Sequence, residues 1–447
     1  MLPPLVPGLP LVGNMPEFRR DPVKCIRAAH ARHGPVFTLR LGPKRVVVMV
    51  GPQYHRLFYR ETDRSLSTPE VYRFLIPMFG KVLGACPFAE YREHRRAIAP
   101  FFGKDFTAHH VGIMAYETEA LVAKLGPTGE FELWEVLEHL ALTIAGKAVL
   151  GTALWTTPNA DFGALFRQVA RGMDYILPPN LPLPRFIRRN RARKALCARI
   201  KPHILRRRQG NEADNDLFQR LAEATDAEGR PLPLDTVAGL MLIMIHGAYE
   251  TVAAQACWCL IHLLNRPEAR RGIREEQDRV WDSMAPLTDA TLERLPRLRS
   301  AVLESMRLRP AATVVCRYAA APLQVDTYTI PVGSLVMLCP GVAHGLAEVF
   351  QDPAAYIADR FIDASLDSND FVTFGGGMHR CMGSEFAIAE IMIVVLMLLR
   401  RFELVLDTPD PPPDYRMSVT RPASPCIVKY LAREPAKPRV AVALPSL

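Results

Sequence analysis

Cys381 stands where a glycine-rich loop meets an apolar stretch of helical composition, in the segment Phe371-Val-Thr-Phe374-Gly375-Gly-Gly377-Met-His379-Arg-Cys381-Met-Gly383. At the start of a helix, free backbone N–H groups and the positive end of the dipole favour thiolate over thiol. Glycines at 375, 376, 377 and 383 let a flat ligand approach the backbone where a Cβ would block it. A lone thiolate falls short of the three or four protein ligands that zinc requires. It suffices as the one axial ligand of a haem iron, where it pushes electron density towards O–O cleavage. The chain has nine cysteines, scattered and without a CxxC pair, so the other eight read as reduced thiols.

Two more constellations precede this loop. Glu304-Ser-Met-Arg307 places an acid and a base on one helical face, just before Pro310 stops the helix. Taken alone, such a pair is usually a surface contact worth under about 1 kcal/mol. A further arginine follows in Ala358-Asp-Arg360-Phe361. Earlier, Gly247-Ala248-Tyr249-Glu250-Thr251 interrupts a long apolar run. Small residues there leave room for a ligand, a threonine hydroxyl can bind water, and a neighbouring acid can relay protons. An isolated Glu-Thr in a helix would be polar decoration.

The pattern Phe374-x-x-Gly377-x-x-x-Cys381-x-Gly383, with Glu304-x-x-Arg307, Arg360 and the Gly247–Thr251 motif in the same order, resembles the signatures of the cytochrome P450 superfamily. The resemblance runs over nearly the whole chain. It implies a mainly α fold with minor β, a single domain over 1–447, and haem b as cofactor. By it, Cys381 is the axial ligand, Phe374, Gly375, Gly377, Gly383 and Ala248 lie against the haem, and Glu304, Arg307 and Arg360 form a buried network holding the cysteine loop. Glu250 and Thr251 become the proton-delivery pair. Within the superfamily the chain resembles sterol 14α-demethylases and their bacterial relatives, through Tyr72-x-Phe74, Pro77-x-Phe79-Gly80, Trp258, Arg317 and His379. That likeness implies that Tyr72, Arg317 and His379, with Arg95, meet the haem propionates, as donors beside carboxylates should. It also assigns Phe74, Met78, Phe79, Ile245, Tyr249, Thr313, Val314 and Ser418 to a substrate pocket, although apolar residues of these types would equally suit a plain core.

Two departures stand out. Such sterol demethylases carry histidine at Glu250 and serine at Val252, and the superfamily's common tryptophan is Tyr91 here. The first points to ordinary hydroxylation rather than three-step demethylation. The resemblance thus implies a haem-thiolate monooxygenase acting on a lipophilic substrate, a steroid or terpenoid. The alternatives are a true sterol 14α-demethylase, a haem-dependent peroxygenase or isomerase, and a non-catalytic haem protein. Electrons are expected from a separate ferredoxin or flavoprotein reductase.

Several elements must position these residues. Residues 35–50 read as a hairpin turning at Gly42-Pro43, and helices are expected over 88–125, 129–151, 160–173, 186–225, 234–265, 267–283, 288–307 and 382–402. The 234–265 helix, about 45 Å long, could cross a whole domain. Short strands are expected at 313–319, 322–326, 334–338, 403–406 and 425–431, and 340–380 reads as a long coil, which usually has a functional reason. Ile176–Pro184 is too rich in proline for a helix. Net charge is +9, and eleven Arg and Lys cluster between Arg185 and Arg208. With only Phe186 among them, they read as a solvated helix face rather than a nucleic-acid site. The proline-rich segment 1–14 is neither a signal peptide nor a membrane span, so a soluble cytoplasmic protein with no transmembrane segment is expected, with peripheral membrane contact left open.

Overall fold

Alternation in Val36–Leu41 and a nearly unbroken apolar run in Lys44–Met49 form the expected hairpin, with Gly42 supplying the left-handed turn residue at φ 64°. In this computed structural model, residues 1–175, 177–179, 181–211, 216–281, 285–364, 367–416 and 419–433 are described. The hairpin belongs to a five-stranded sheet. Leu335–Leu338 runs parallel to Lys44–Met49, Val315–Ala319 pairs antiparallel to it, and Leu66–Ser67 takes the far edge. Because successive side chains point to opposite faces, Phe37, Leu39, Val48 and Met337 enter one core while Val36, Val47, Met49 and Val336 enter another. The sheet is therefore buried on both faces.

The chain divides into two compact units. One comprises Met1–Thr68, Thr118–Leu137 and Thr251–Leu447, and the other Pro69–Glu117 and Glu138–Glu250. The first holds the sheet, the helix Pro296–Leu308 that carries Glu304 and Arg307, and the helix Ser384–Arg401 that follows the cysteine loop. Ser384–Arg401 is buried almost continuously from Phe386 to Leu399. Between Ala343 and Gly377 the described residues contain no helix or strand, as the expected long coil required.

Four expected elements differ in their bounds. Thr128–Glu132 is a strand rather than the start of a helix, because it pairs with the distant strand Ile427–Ala432; the helix begins at Leu133. The expected 186–225 helix spans Pro184–Arg208 and stops before Gly210, which takes φ 77°; a separate short helix follows at Leu217–Ala222. Pro296 likewise splits 288–307 into Asp289–Glu293 and Pro296–Leu308. A short 3-10 turn, Ala99–Phe102, interrupts 88–125.

The second unit corrects the reading of the basic segment as a plain solvated face. Arg189 is 1% exposed and its guanidinium donates to the carbonyls of Gly172 and Pro179 at 3.1 and 2.7 Å. Arg193 donates to the Met78 carbonyl at 3.1 Å, and Arg208 reaches the carbonyls of Ala222 and Leu232. Arg207 grips Asp216 with two bonds of 3.0 Å. Arg185 is paired with Asp174, while Arg188, Arg191 and Lys194 face solvent. The helix thus uses arginine to satisfy carbonyls of neighbouring loops and helix ends that lack a backbone partner of their own.

The 31-residue helix Leu234–Leu264 meets the length and composition of a membrane span, yet 61% of its most apolar window is buried inside the protein. It is a core helix, close to the expected 234–265. Its first turns to Glu250 belong to the second unit and the rest to the first.

Burial holds several histidines neutral. His94 and His110 are pushed down to about 4, and His262 and His344 to about 3, in each case chiefly by desolvation. Above pH ~6.5 the unfolded chain is neutral at these sites too, and the native state keeps its full stability. As pH falls towards 3–4 the unfolded chain binds protons that the native one refuses, at up to about 1.4 kcal/mol per pH unit for each group. The melting temperature should therefore drop between pH ~6.5 and 4, and His110→Gln and His262→Gln should each flatten that drop. A wild-type melting temperature constant over this range would contradict it.

Candidate active site

Helix Pro296–Leu308 starts with proline at its first turn, and Glu276 caps it by accepting from Arg297 N and Leu298 N at 2.9 and 3.0 Å. This delivers Glu304 and Arg307 into the interior, at 0% and 1% exposure. Arg307 forms a bidentate pair with Glu304, Nε to Oε2 at 2.7 Å and Nη2 to Oε1 at 2.9 Å. Arg360 Nε lies 3.0 Å from both Glu304 oxygens, and Ile357 N donates to Oε1 at 2.9 Å. The expected third partner is in place. The arginines also satisfy the coil: Arg307 donates to the carbonyls of His344, Pro353 and Ala355, and Arg360 to those of Gln351, Asp352 and Ala355.

His344 carries this network to the cysteine loop. It is fully buried, its Nε2 accepts from Val372 N at 3.1 Å, and the Nδ1 proton is therefore directed to the Arg307 carbonyl at 3.2 Å. Thr373 Oγ1 adds a contact to the Met306 carbonyl at 3.5 Å. Sequence reasoning missed both His344 and Glu276. The only signal was a lone histidine in the long coil and one acid among several on a charged helix.

Past Val372 the chain turns through Gly375 and Gly377, at φ 70° and 59°, and Cys381 N donates to the Phe374 carbonyl at 2.9 Å. A Cβ on Gly376 would come within 2.5 Å of the Tyr59 ring. The loop glycines thus have reasons of their own in turn geometry and in the approach of helix Pro52–Glu61, besides the flat ligand they were read to admit. Gly383 immediately precedes the helix Ser384–Arg401. Cys381 is therefore within a turn of that helix's N-terminus, as its spacing implied.

His379 Nε2 meets Asp63 Oδ2 at 2.6 Å, with both side chains nearly buried, a partner that sequence reasoning did not supply. Arg317 is 3% exposed on the strand Val315–Ala319, donates to the Cys316 carbonyl and lies 5.1 Å from the Phe58 ring centroid. Trp258 Nε1 donates to the Thr420 carbonyl at 2.9 Å, and Thr313 shares a hydroxyl–hydroxyl contact with Thr420. Val314 packs against the Phe37–Val48 core, so its surroundings match the plain-core alternative. Ser418 lies outside the described residues.

In the second unit, Phe79 and Met78 are completely buried, as is Ile245, and the Phe79 ring lies 5.1 Å from that of His246. Gly239 lets the long helix meet the Phe79 carbonyl, where a Cβ would stand 2.1 Å away. Phe74 packs between Tyr72 and Tyr175, at 6.2 and 4.6 Å between ring centroids. Tyr249, 1% exposed, donates its hydroxyl to Glu250 Oε1 at 3.0 Å. Ala248 lies on the same helix, with Thr251 directly after Glu250. Arg95 donates to the hydroxyl of Tyr91 at 3.2 Å, so the residue that replaces tryptophan touches the arginine one turn on.

Fold and site define a mainly helical protein in which one loop-borne cysteine is held by a buried acid–arginine network. The family described as Cytochrome P450 matches residues 3–430, and the chain belongs to it. It is a cytochrome P450 monooxygenase. Obtusifoliol 14-alpha demethylase of Triticum aestivum is 29% identical, over 97% of this chain and 98% of its own. Lanosterol 14-alpha demethylase of Cunninghamella elegans is also 29% identical, over 95% and 90%. The retinoic acid-bound cyanobacterial CYP120A1 superposes with a TM-score of 0.86 at 23% identity, over 97% of this chain and 99% of its own.

The family implies a haem-thiolate cofactor, and the residues present fit one. Of the nine cysteines only Cys381 is exposed. Among the described residues no group of three or more His, Cys, Asp or Glu could hold a bare metal ion. Glu304→Gln should leave two arginines buried without their counter-charge, a change that typically costs about 3–5 kcal/mol. The variant is expected to melt well below the wild type and to carry little haem by absorbance ratio. Normal loading with an unchanged melting temperature would contradict the anchoring role.

Proposed function

We propose that this chain inserts one oxygen atom from O2 into a C–H bond of a lipophilic isoprenoid, a steroid or terpenoid. Cys381 would ligate the iron of haem b, and Arg317, His379, Tyr72 and Arg95 would hold its propionates. Phe374, Gly375, Gly377, Gly383 and Ala248 would lie against the macrocycle. When bound, the haem supplies dioxygen activation, in a reaction that consumes two electrons and two protons and releases water with the hydroxylated product. A separate ferredoxin or flavoprotein would provide the electrons, consistent with a basic surface that attracts an acidic carrier.

The observation that carries this reading is the unbroken path from Glu304 and Arg307 through His344 to the cysteine loop. Such a path would hold the loop of Cys381 still, as a cofactor ligand requires. The isoprenoid assignment rests on the names of the sterol-demethylating relatives and on the apolar side chains Phe74, Met78, Phe79 and Ile245. The resemblance to the sterol demethylases alone would add Thr313, Val314 and Ser418 to the substrate-binding residues. Glu250, where the sterol demethylases carry histidine, favours a single hydroxylation. Glu250 would hold the proton and Thr251 would pass it on.

Cys381→Ala should lose the Soret band of the reduced, carbon monoxide-bound protein, and an unchanged spectrum would refute the ligand assignment. Thr251→Ala should keep the substrate-induced spectral shift but divert about tenfold more reducing equivalents to peroxide. Intact coupling would remove Thr251 from proton delivery. Difference spectra against a panel of sterols and terpenes test the substrate class, and a panel without a single responder would overturn it.

A further inference from the structure

Glu250 does not stand alone on its helix. The Tyr249 hydroxyl donates to its Oε1 at 3.0 Å, and Tyr249 is 1% exposed. That hydroxyl also lies in the fields of Glu138, on helix Leu133–Leu150, and of Arg167, on helix Phe162–Ala170. Glu138 and Arg167 are themselves paired, Oε2 to Nη1 at 3.9 Å, and about a third of the Arg167 side chain is in contact with solvent. His246, one turn back, packs its ring against those of Phe79 and Tyr249, at 5.1 and 5.9 Å between centroids.

We infer that Tyr249 is a positioning residue for the acid: its hydroxyl fixes the orientation of the Glu250 side chain. This rests on the proposed role of Glu250 in proton delivery. Two features make Tyr249 suited to the task. Burial and the neighbouring carboxylates hold its phenol protonated far above neutral pH, so it remains a donor. Its ring is packed on all sides, so the hydroxyl cannot swing away and the Glu250 rotamer is confined with it. An acid that must give up a proton and recover one needs a fixed geometry.

The test uses the haem-loaded enzyme with substrate and its reductase. Tyr249→Phe keeps the ring and removes only the hydroxyl. It should retain haem content and the substrate-induced spectral shift while product formed per electron pair falls about tenfold, the loss expected from one hydrogen bond to a charged group. The infrared band of the Glu250 side chain, identified by its loss in Glu250→Gln, should be shifted in Tyr249→Phe without catalysis taking place. The double variant Tyr249→Phe/Glu250→Gln should be no worse than Glu250→Gln alone. Full coupling in Glu250→Gln would defeat the proton-delivery reading itself. Loss of coupling in Glu250→Gln, together with an unmoved band and full coupling in Tyr249→Phe, would overturn the positioning role of Tyr249 and leave that reading standing.

Discussion

The buried carboxylate of Glu304 is the constraint on which the cysteine-bearing unit depends. A charge at 0% exposure is tolerable only when paired and fully hydrogen-bonded. Two guanidiniums and a backbone N–H meet that need, and the same guanidiniums then spend their remaining donors on five carbonyls of the coil. A coil of this length would otherwise bury polar backbone without partners. The ion network is therefore what allows irregular chain to pack beneath the cysteine loop, and His344 makes the last connection. An apolar replacement of similar volume could fill the space but would leave the coil's carbonyls unmet.

Arginine plays the same part in the second unit. Arg189, Arg193 and Arg208 reach loop carbonyls from one helix, and the excess positive charge of the chain is partly structural there. Counting basic residues in sequence overstates the charge offered to a partner. Arg185, Arg188, Arg191 and Lys194 are the exposed basic residues of that helix, and Arg185 is paired with Asp174.

The departure at Glu250 gains chemical sense from its neighbours. Histidine at that place would supply its own ring nitrogens, whereas a carboxylate has acceptors only and profits from a fixed donor. Tyr249 is that donor.

The sequence by itself determined the chemistry-bearing residues and their order. Cysteine in a glycine loop, glutamate three before arginine, and acid before threonine are short-range patterns whose geometry follows from helix and turn periodicity. It also determined the long core helix and the first hairpin, where apolar spacing is unambiguous. Only the tertiary structure decided which lone polar residues matter. His344, Glu276 and Asp63 act through partners 37, 21 and 316 residues away, and nothing local marks them. The strand Thr128–Glu132 likewise exists because Ile427–Ala432 pairs with it, and its own residues are equally compatible with a helix. The reason is the same throughout: a hydrogen bond between distant residues leaves no periodicity in either stretch of chain.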